Sequence, residues 1–251
     1  MIKFFRKIRQ NLLNEGKTSK YFKYAIGEIL LVVIGILIAL QINNWNEVRK
    51  QNLSVKQSLN SLLSDLKKDS IQLNDDLEFI NKDLAQLLDF NERLSKNSAN
   101  LDTLKQIARF EYLPFFNPSN ELNRNTIVSL LSTGHLEYFD DAVKNDILKH
   151  NTNQLTLVKV MDENVDIFLS IMTSGEASFQ SENKAFNGAV IRGPLLELYW
   201  EKFDDDVLLS RFITNLSHKS MMQSILKSAK ERLLNETIQL IDNIKSYQET
   251  L

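Results

Sequence analysis

The apolar residues of this chain follow two different patterns. From Ala25 to Ile42 they form a nearly continuous run, AIGEILLVVIGILIALQI, interrupted by Glu28 and Gln41. Farther along, leucine and isoleucine recur at spacings of three and four residues, the period of an amphipathic helix. The first such seam ends at the polar run 95–100, and the second runs from about Asp204 to the C-terminus. The seam residues are Val55, Leu59, Leu62, Leu66, Leu73, Leu77, Ile80, Leu84, Leu87 and Leu94, with one irregular step around Asp69, and then Leu209, Ile213, Leu216, Leu226, Leu233, Leu240, Ile244, Tyr247 and Leu251.

The continuous apolar run predicts a transmembrane helix over residues 24–46. A bilayer core requires about 20 residues at 1.5 Å each, and aromatic side chains commonly anchor such a helix at both interfaces. Tyr21 and Tyr24 occupy one flank and Trp45 the other. A buried core helix would normally keep one polar face, and a cleaved signal peptide requires a small-residue cleavage motif, which does not follow Ile38. We therefore expect a span that is retained.

The distribution of basic residues predicts the orientation. Seven bases and two acids precede Glu47, whereas the remainder carries 23 bases and 30 acids. The positive-inside rule then places the N-terminus in the cytoplasm and the bulk of the chain outside it. The predicted organisation is a basic cytoplasmic arm (1–23), the transmembrane helix (24–46) and a periplasmic helical domain (47–251), in a single-pass protein of a bacterial inner membrane.

Two features of the predicted span have a functional and a simpler interpretation. Gly27, Gly35 and Ala39 fall on one stripe, which would let a second membrane helix approach closely, although such stripes also arise by chance. Glu28 lies about one turn inside the cytoplasmic interface, where a carboxylate is costly. The simpler interpretation is that it reaches the headgroups beside Lys23, and the functional one is a proton relay, which would need further intramembrane acids or histidines; Glu28 is also a candidate for packing against a membrane helix.

The remainder of the chain predicts an all-α domain. Seven glycines and three prolines provide few turns for a sheet. Shorter helices are expected near 101–110 and 126–133, a longer one after Asp140, and a loop-rich stretch from Ser174 to Gly193 before Pro194. The two long seams predict first and last helices that pack antiparallel, in the manner of a coiled coil, with the middle helices against them.

Two aromatic pairs are candidates for partner binding. Phe115 and Phe116 lie in a loop flanked by prolines, and Trp200 follows Tyr199 beside the loop-rich stretch. Phe115, Phe116 and Trp200 could form an exposed apolar patch for a partner. Alternatively, they cap the ends of the bundle core, since most large aromatic residues are substantially buried.

The sequence offers no recognisable reaction chemistry. It has no cysteine, and His135, His150 and His218 lie in different predicted elements without a metal-ligand spacing. Nucleotide-binding glycine motifs and a nucleophile elbow are missing from the sequence, and the acidic outer domain disfavours nucleic-acid binding. We predict no catalytic residue, cofactor or metal, and a protein that is not an enzyme.

The segment Tyr24 to Glu47, YAIGEILLVVIGILIALQINNWNE, follows the short basic opening MIKFFRKIRQNLL. Together they resemble the hallmark of an uncharacterised family of small Gram-negative bacterial membrane proteins, known only as a domain of unknown function. The later segment STGHLEYF, Ser132 to Phe139, resembles that family's second recurring motif. The resemblance implies an inner-membrane protein with a periplasmic helical domain, and it implies no activity.

The leading hypothesis is a membrane-anchored interaction or scaffold protein that binds the lipid bilayer and either another envelope protein or a copy of itself. A transmembrane sensor or regulator is the alternative. The short cytoplasmic arm would require it to signal through a partner. An envelope enzyme with an unrecognised site is the third hypothesis, which a deep polar pocket with convergent carboxylates would support.

Overall fold

The computed structural model describes residues 18–114, 121–173, 175, 178–185 and 191–250, with side chains described from residue 22 and omitted at 172 and 173. Within these ranges the regular structure is helical and no residue forms a strand, so the predicted all-α class is confirmed. The α-helices are α1 Thr18–Leu94, α2 Leu101–Gln106, α3 Asn125–Thr133, α4 Asp141–Thr173, α5 Pro194–Lys202 and α6 Asp205–Gln248. A π-helical turn, Ile107–Glu111, follows α2, and a 3₁₀ turn, His135–Tyr138, follows α3.

The chain divides into two compact units, Met1–Gln57 and Ser58–Leu251. The described part of the first unit belongs to α1, and its most apolar stretch is long and apolar enough to cross a membrane. None of that stretch is buried, and its large apolar side chains range from Val33, 45% exposed, to Ile29, 64% exposed. A core helix of a soluble protein would be covered by its own chain, so that alternative does not fit these residues.

The ends of the helices in the second unit follow local chemistry. Gly134, with φ of 70°, ends α3 in the left-handed conformation that glycine adopts without strain. Asp140 accepts a hydrogen bond from the amide of Ala142 as α4 begins. Pro194 opens α5, and the side chain of Asp204 caps α6 by accepting from a backbone amide. These four boundaries agree with the sequence prediction.

The predicted antiparallel packing of the first and last long helices is confirmed. Polar side-chain contacts join α1 to α6, and along three of them the residue number in α6 rises as that in α1 falls. The contacts are Asp83 to Lys219 at 2.7 Å, Asp76 to Lys230 at 2.6 Å, and Asn60 to Gln248 at 3.0 Å.

Helix α4 completes a three-helix bundle. It runs antiparallel to α6, as shown by the side-chain bonds from Asn153 to Glu236 at 2.5 Å and from Asn243 to Asp146 at 2.8 Å. It therefore runs parallel to α1, and one residue from each helix meets in a shared apolar layer. That layer consists of Leu73, Leu157 and Leu233.

One end of the bundle is closed by a cluster of aromatic and aliphatic side chains that we call the end cluster. It joins α2, the π-helical turn, α5 and the start of α6 to the last turns of α1, and its buried members include Phe90, Leu104, Tyr112, Trp200, Leu208 and Phe212. The predicted seam is wrong at this point: Leu208 and Phe212 are buried, whereas Leu209 and Ile213 are 42% and 54% exposed. The short helix α5 and the π-helical turn pack on α6 from a direction that the sequence spacing did not reveal.

Candidate functional site

Three aspartates at seven-residue intervals face the interior of the bundle. Asp69, Asp76 and Asp83 continue a line that begins at Leu62 and ends at Phe90. The neighbouring inward stripe is wholly aliphatic: Leu59, Leu66, Leu73, Ile80 and Leu87. We call the three aspartates and their partners the polar ladder. Asp69 is the first member of the polar ladder, and its presence accounts for the irregular step in the apolar spacing of the sequence.

The Asp83 position is an ion pair with additional hydrogen bonds. Lys219 Nζ donates to Asp83 Oδ1 at 2.7 Å and to the carbonyl of Leu113 at 2.9 Å, and Gln223 Nε2 donates to Asp83 Oδ2 at 2.6 Å. The two charged side chains are only 9% and 6% exposed. Burial lowers the pKa of Lys219, and the charge of Asp83 opposes that effect.

The Asp76 position is a second ion pair on the same helix face. Lys230 Nζ donates to Asp76 Oδ2 at 2.6 Å, and the lysine side chain is 3% exposed. Burial lowers the pKa of Lys230, while the hydrogen bond and the charge of Asp76 raise it. The carboxylate of Asp76 therefore opposes the effect of burial on this amine.

Asp69 is bound differently, because its described donors are amides. Its Oδ1 accepts from the backbone N–H of Asn123 at 2.8 Å and from the side-chain Nδ2 of Asn123 at 2.7 Å. Its Oδ2 accepts from Gln154 Nε2 at 2.9 Å. Asp69 is fully buried, and desolvation raises its pKa against the opposing hydrogen bonds. It ties α1 both to α4 and to the segment that precedes α3.

The polar ladder fixes the alignment of the helices. A slip of α6 by one heptad that brought Phe212 and Leu216 to the places of Lys219 and Gln223 would leave the buried carboxylate of Asp83 without its lysine and glutamine donors. Polar residues at core positions select one register at a cost in stability, and an unpaired buried charge is strongly destabilising. The chemistry of the ladder therefore serves structural specificity: its carboxylates accept hydrogen bonds from donors of the same chain.

A second polar network surrounds Arg109 in the π-helical turn. Its guanidinium bonds both Glu182 and, at 2.6 Å, Glu197, and it lies 5.7 Å from the Trp200 ring centre. These charges raise the pKa of Arg109 and the arginine lowers that of Glu197. The network joins α5 and the segment 178–185 to the turn. Sequence reasoning missed it, because its partners lie 73 and 88 positions away in the chain.

Beside the end cluster lies an apolar groove of about 400 Å³, which we call the end groove. Its rim carries Leu101, Leu209 and Ile213, which are 42%, 42% and 54% exposed. Its other apolar members are Leu94, Ala99, Leu104, Phe212 and Leu216. Grouped exposed leucines are a feature of interaction surfaces, whereas single ones are ordinary. The sequence prediction had assigned two of the rim residues to the buried seam.

The structure removes Trp200 from the predicted partner-binding patch. Trp200 is 4% exposed and packs in the end cluster against the rings of Tyr199 and Phe203, at 5.6 and 6.1 Å. Burial of its large apolar surface explains this placement, and it matches the alternative interpretation that the aromatics cap the core. Phe115 and Phe116 lie outside the described residues.

The candidate residues of the span lie on an uncovered helix. A methyl group added at Gly27 or Gly35 would meet no other part of the described chain within 4 Å, and Ala39 is exposed. Glu28 is partly buried. Helix pairing through this face stays a prediction.

The predicted interface anchors are only partly described. Tyr24 is 54% exposed and Trp45 67% exposed, whereas the side chain of Tyr21 is not among those described. Their anchoring role at the membrane surface stays a prediction.

Comparison with known proteins gives a partial match to one family model and no activity. Residues 28–114 match the model of a family of unknown function, DUF6090. The match covers about a third of the chain and includes most of the candidate span and all three aspartates of the polar ladder. It is consistent with the resemblance to an uncharacterised domain. No curated protein matches the chain, and no solved structure does.

Proposed function

We propose that this chain is a membrane-anchored interaction protein whose outer helical unit presents a fixed surface to a protein partner in the cell envelope. The observation that carries the proposal is uncovered apolar surface, which occurs along α1 near its N-terminus and again at the end groove. The apolar surface of α1 is suited to contact with lipid in a bilayer, and the end groove is suited to binding a protein partner.

The proposed location is a bacterial inner membrane with the N-terminus in the cytoplasm and unit Ser58–Leu251 in the periplasm. The seven bases that precede Glu47 support this orientation, because positive charge near the end of a span is retained on the cytoplasmic side. The exposed aromatic residues Tyr24 and Trp45 support a span between them.

A non-enzymatic scaffold role is supported by how the polar interior is used. The buried charges of the polar ladder are bonded to one another, at Asp83 with Lys219 and at Asp76 with Lys230. Such pairs hold helices in one alignment, which suits the presentation of a constant surface.

The orientation is tested with two reporters fused after Leu251. A reporter that is active only in the periplasm should function, and one that is active only in the cytoplasm should not. As a matched control, both fusions are repeated after Lys3, Arg6 and Lys7 are replaced by glutamine, which should increase the misoriented fraction. The reverse pattern in the natural chain would overturn the proposed topology.

The interaction role is tested by cross-linking in native membranes, followed by purification of the full chain. Ile213→Asp places a charge on the rim of the end groove, and Ile238→Asp places one at a similarly exposed position of the same helix outside the groove. A protein partner should be lost with the first change and retained with the second. Equal recovery from both variants would overturn the role of the groove.

A further inference from the structure

The inner face of α4 carries a histidine in an unusual setting. His150 is 3% exposed, and neither ring nitrogen has a hydrogen-bond partner among the described residues. A neutral imidazole normally satisfies its N–H donor when it is buried. Burial lowers the pKa of His150 to about 4, because a charged ring would lose its hydration without gaining an acceptor.

A small cavity of about 80 Å³ lies beside this histidine, between α4 and α6. Asp146 and Lys149 reach it from α4, and Glu236 reaches it from α6. Each carboxylate accepts a hydrogen bond from an asparagine of the opposite helix: Asp146 from Asn243 at 2.8 Å and Glu236 from Asn153 at 2.5 Å. These two bonds are also the polar contacts that join α4 to α6 at this level.

Besides Lys149, which lines the cavity itself, the charged groups on the elements packed against this part of α4 have other partners. On α1, Asp69 accepts a hydrogen bond from Gln154, which lies one turn after His150 on α4. Asp65, also on α1, accepts from the hydroxyl of Thr126 at 2.6 Å. In the segment before α3, Arg124 donates to Asn151, the residue that follows His150. The charged acceptors that share a cavity with His150 are the carboxylates of Asp146 and Glu236, and Gln239 and Asn243 also line it with amide side chains.

We propose that His150 is an acid-sensitive release element that loosens the contact between α4 and α6 when its ring takes up a proton. The imidazolium has two N–H donors, and at its buried position neither has an acceptor among the described residues. The ring is drawn toward the carboxylates of Asp146 and Glu236 across the cavity. Their bonds to Asn243 and Asn153 are then displaced, and the two helices separate at this level. The device does not depend on which partner the outer unit binds.

The test measures the distance between α4 and α6 in the full chain, reconstituted in lipid nanodiscs. Because the sequence contains no cysteine, Leu155→Cys and Ile238→Cys introduce the only two sites for spin labels. Both positions are exposed, at 45% and 46%. Between about pH 7.5 and about pH 3.5, a range that includes the titration of His150, we expect the distance distribution to move outward by several ångströms, as expected for displacement of packed helices.

The controls separate this device from general acid unfolding. His150→Phe keeps a ring of similar size without a titratable group and should abolish the shift, and His150→Leu provides a second neutral variant if the first folds poorly. His135→Phe, at a half-buried position outside the cavity, should retain the shift. Labels at Ile71→Cys and Ile238→Cys, which report on α1 and α6, should show little change.

Three results would overturn the proposal. They are an unchanged α4–α6 distance down to about pH 3.5, an equal shift in His150→Phe or His150→Leu, and an equal shift between α1 and α6. An unchanged distance is also the result expected if protonated His150 finds an acceptor without moving α4, for example Gln154 Oε1, which has no partner in the described structure.

Discussion

Asp83 and Lys219 provide a direct test of the polar ladder. Asp83→Leu removes the acceptor of the Lys219 ammonium and of the Gln223 amide, and leaves the lysine with only the Leu113 carbonyl as its described acceptor. The lysine is 6% exposed, so water cannot readily replace the lost carboxylate. Removing one partner of a buried pair costs about 3 to 5 kcal/mol, and we expect a loss of this size in the free energy of unfolding.

The double variant Asp83→Leu with Lys219→Met should recover most of that loss. Replacing a buried ion pair by apolar side chains is commonly neutral or stabilising by about 1 to 4 kcal/mol. The amide of Gln223, 2% exposed, would remain without its acceptor, which costs about 1 to 3 kcal/mol. These terms nearly cancel, so the double variant should resemble the natural chain in stability.

The matched control lies one residue away on the same helix. Lys82 pairs with Glu78 at 2.5 Å, but the two side chains are 73% and 67% exposed. Lys82→Met should therefore change the stability by less than about 1 kcal/mol. Urea unfolding of the full chain in detergent, followed by circular dichroism, measures all three variants. The reasoning is refuted if Asp83→Leu costs no more than Lys82→Met, or if the double variant is as unstable as the single one.

Three further predictions concern the span, the buried histidine and the aromatics. Gly35→Leu should weaken self-association or partner binding in a membrane-based dimerisation assay, whereas Val33→Leu should not; equal effects would leave the small-residue stripe without a role. The pKa of His150 falls from 6.5 in the unfolded chain to about 4 in the folded chain. Its contribution to the free energy of unfolding is therefore complete above pH 6.5 and is lost as the pH falls toward 4. That loss is about 3 kcal/mol, and the difference between the natural chain and His150→Phe in urea unfolding at several pH values should show it; parallel curves would contradict it. Trp200→Ala should lower the unfolding free energy by about 3 to 5 kcal/mol because it empties a core position, whereas Phe116→Ala should do so only if that ring is buried. If Phe116→Ala instead leaves the melting temperature unchanged and abolishes co-purification of a partner, the loop has a binding role.

The sequence alone indicates the apolar stretch of α1 near its N-terminus and the leucine seam that follows it, because the signal of each is local. A continuous apolar run predicts a span regardless of its neighbours, and a repeat of three and four predicts which face of a helix is covered. Leu59, Leu66 and Leu73 are all buried as predicted. Helix ends could also be predicted from the sequence, because Gly134 ends a helix and Asp204 caps one through backbone groups only a few residues away.

The polar interior could not be predicted in the same way. Asp69, Asp76 and Asp83 repeat every seven residues, yet a charged residue on an isolated helix is expected to face water. Lys219 and Lys230 lie more than a hundred residues later in the sequence, on an antiparallel helix. Their ion pairs with Asp83 and Asp76 offset the cost of removing these two carboxylates from water. Spacing along one segment contains no information about such partners.

The end of the bundle shows the same division between local and tertiary information. The sequence determined that α6 is amphipathic and where it begins, whereas packing of α5 and the π-helical turn decided that Leu208 and Phe212, not Leu209 and Ile213, are covered. It likewise decided that Trp200 is buried. Neighbouring positions on a helix differ by about 100° in direction, so the face that is covered there depends on where the other elements dock. That choice is made by contacts between distant segments, and tertiary structure alone supplies them.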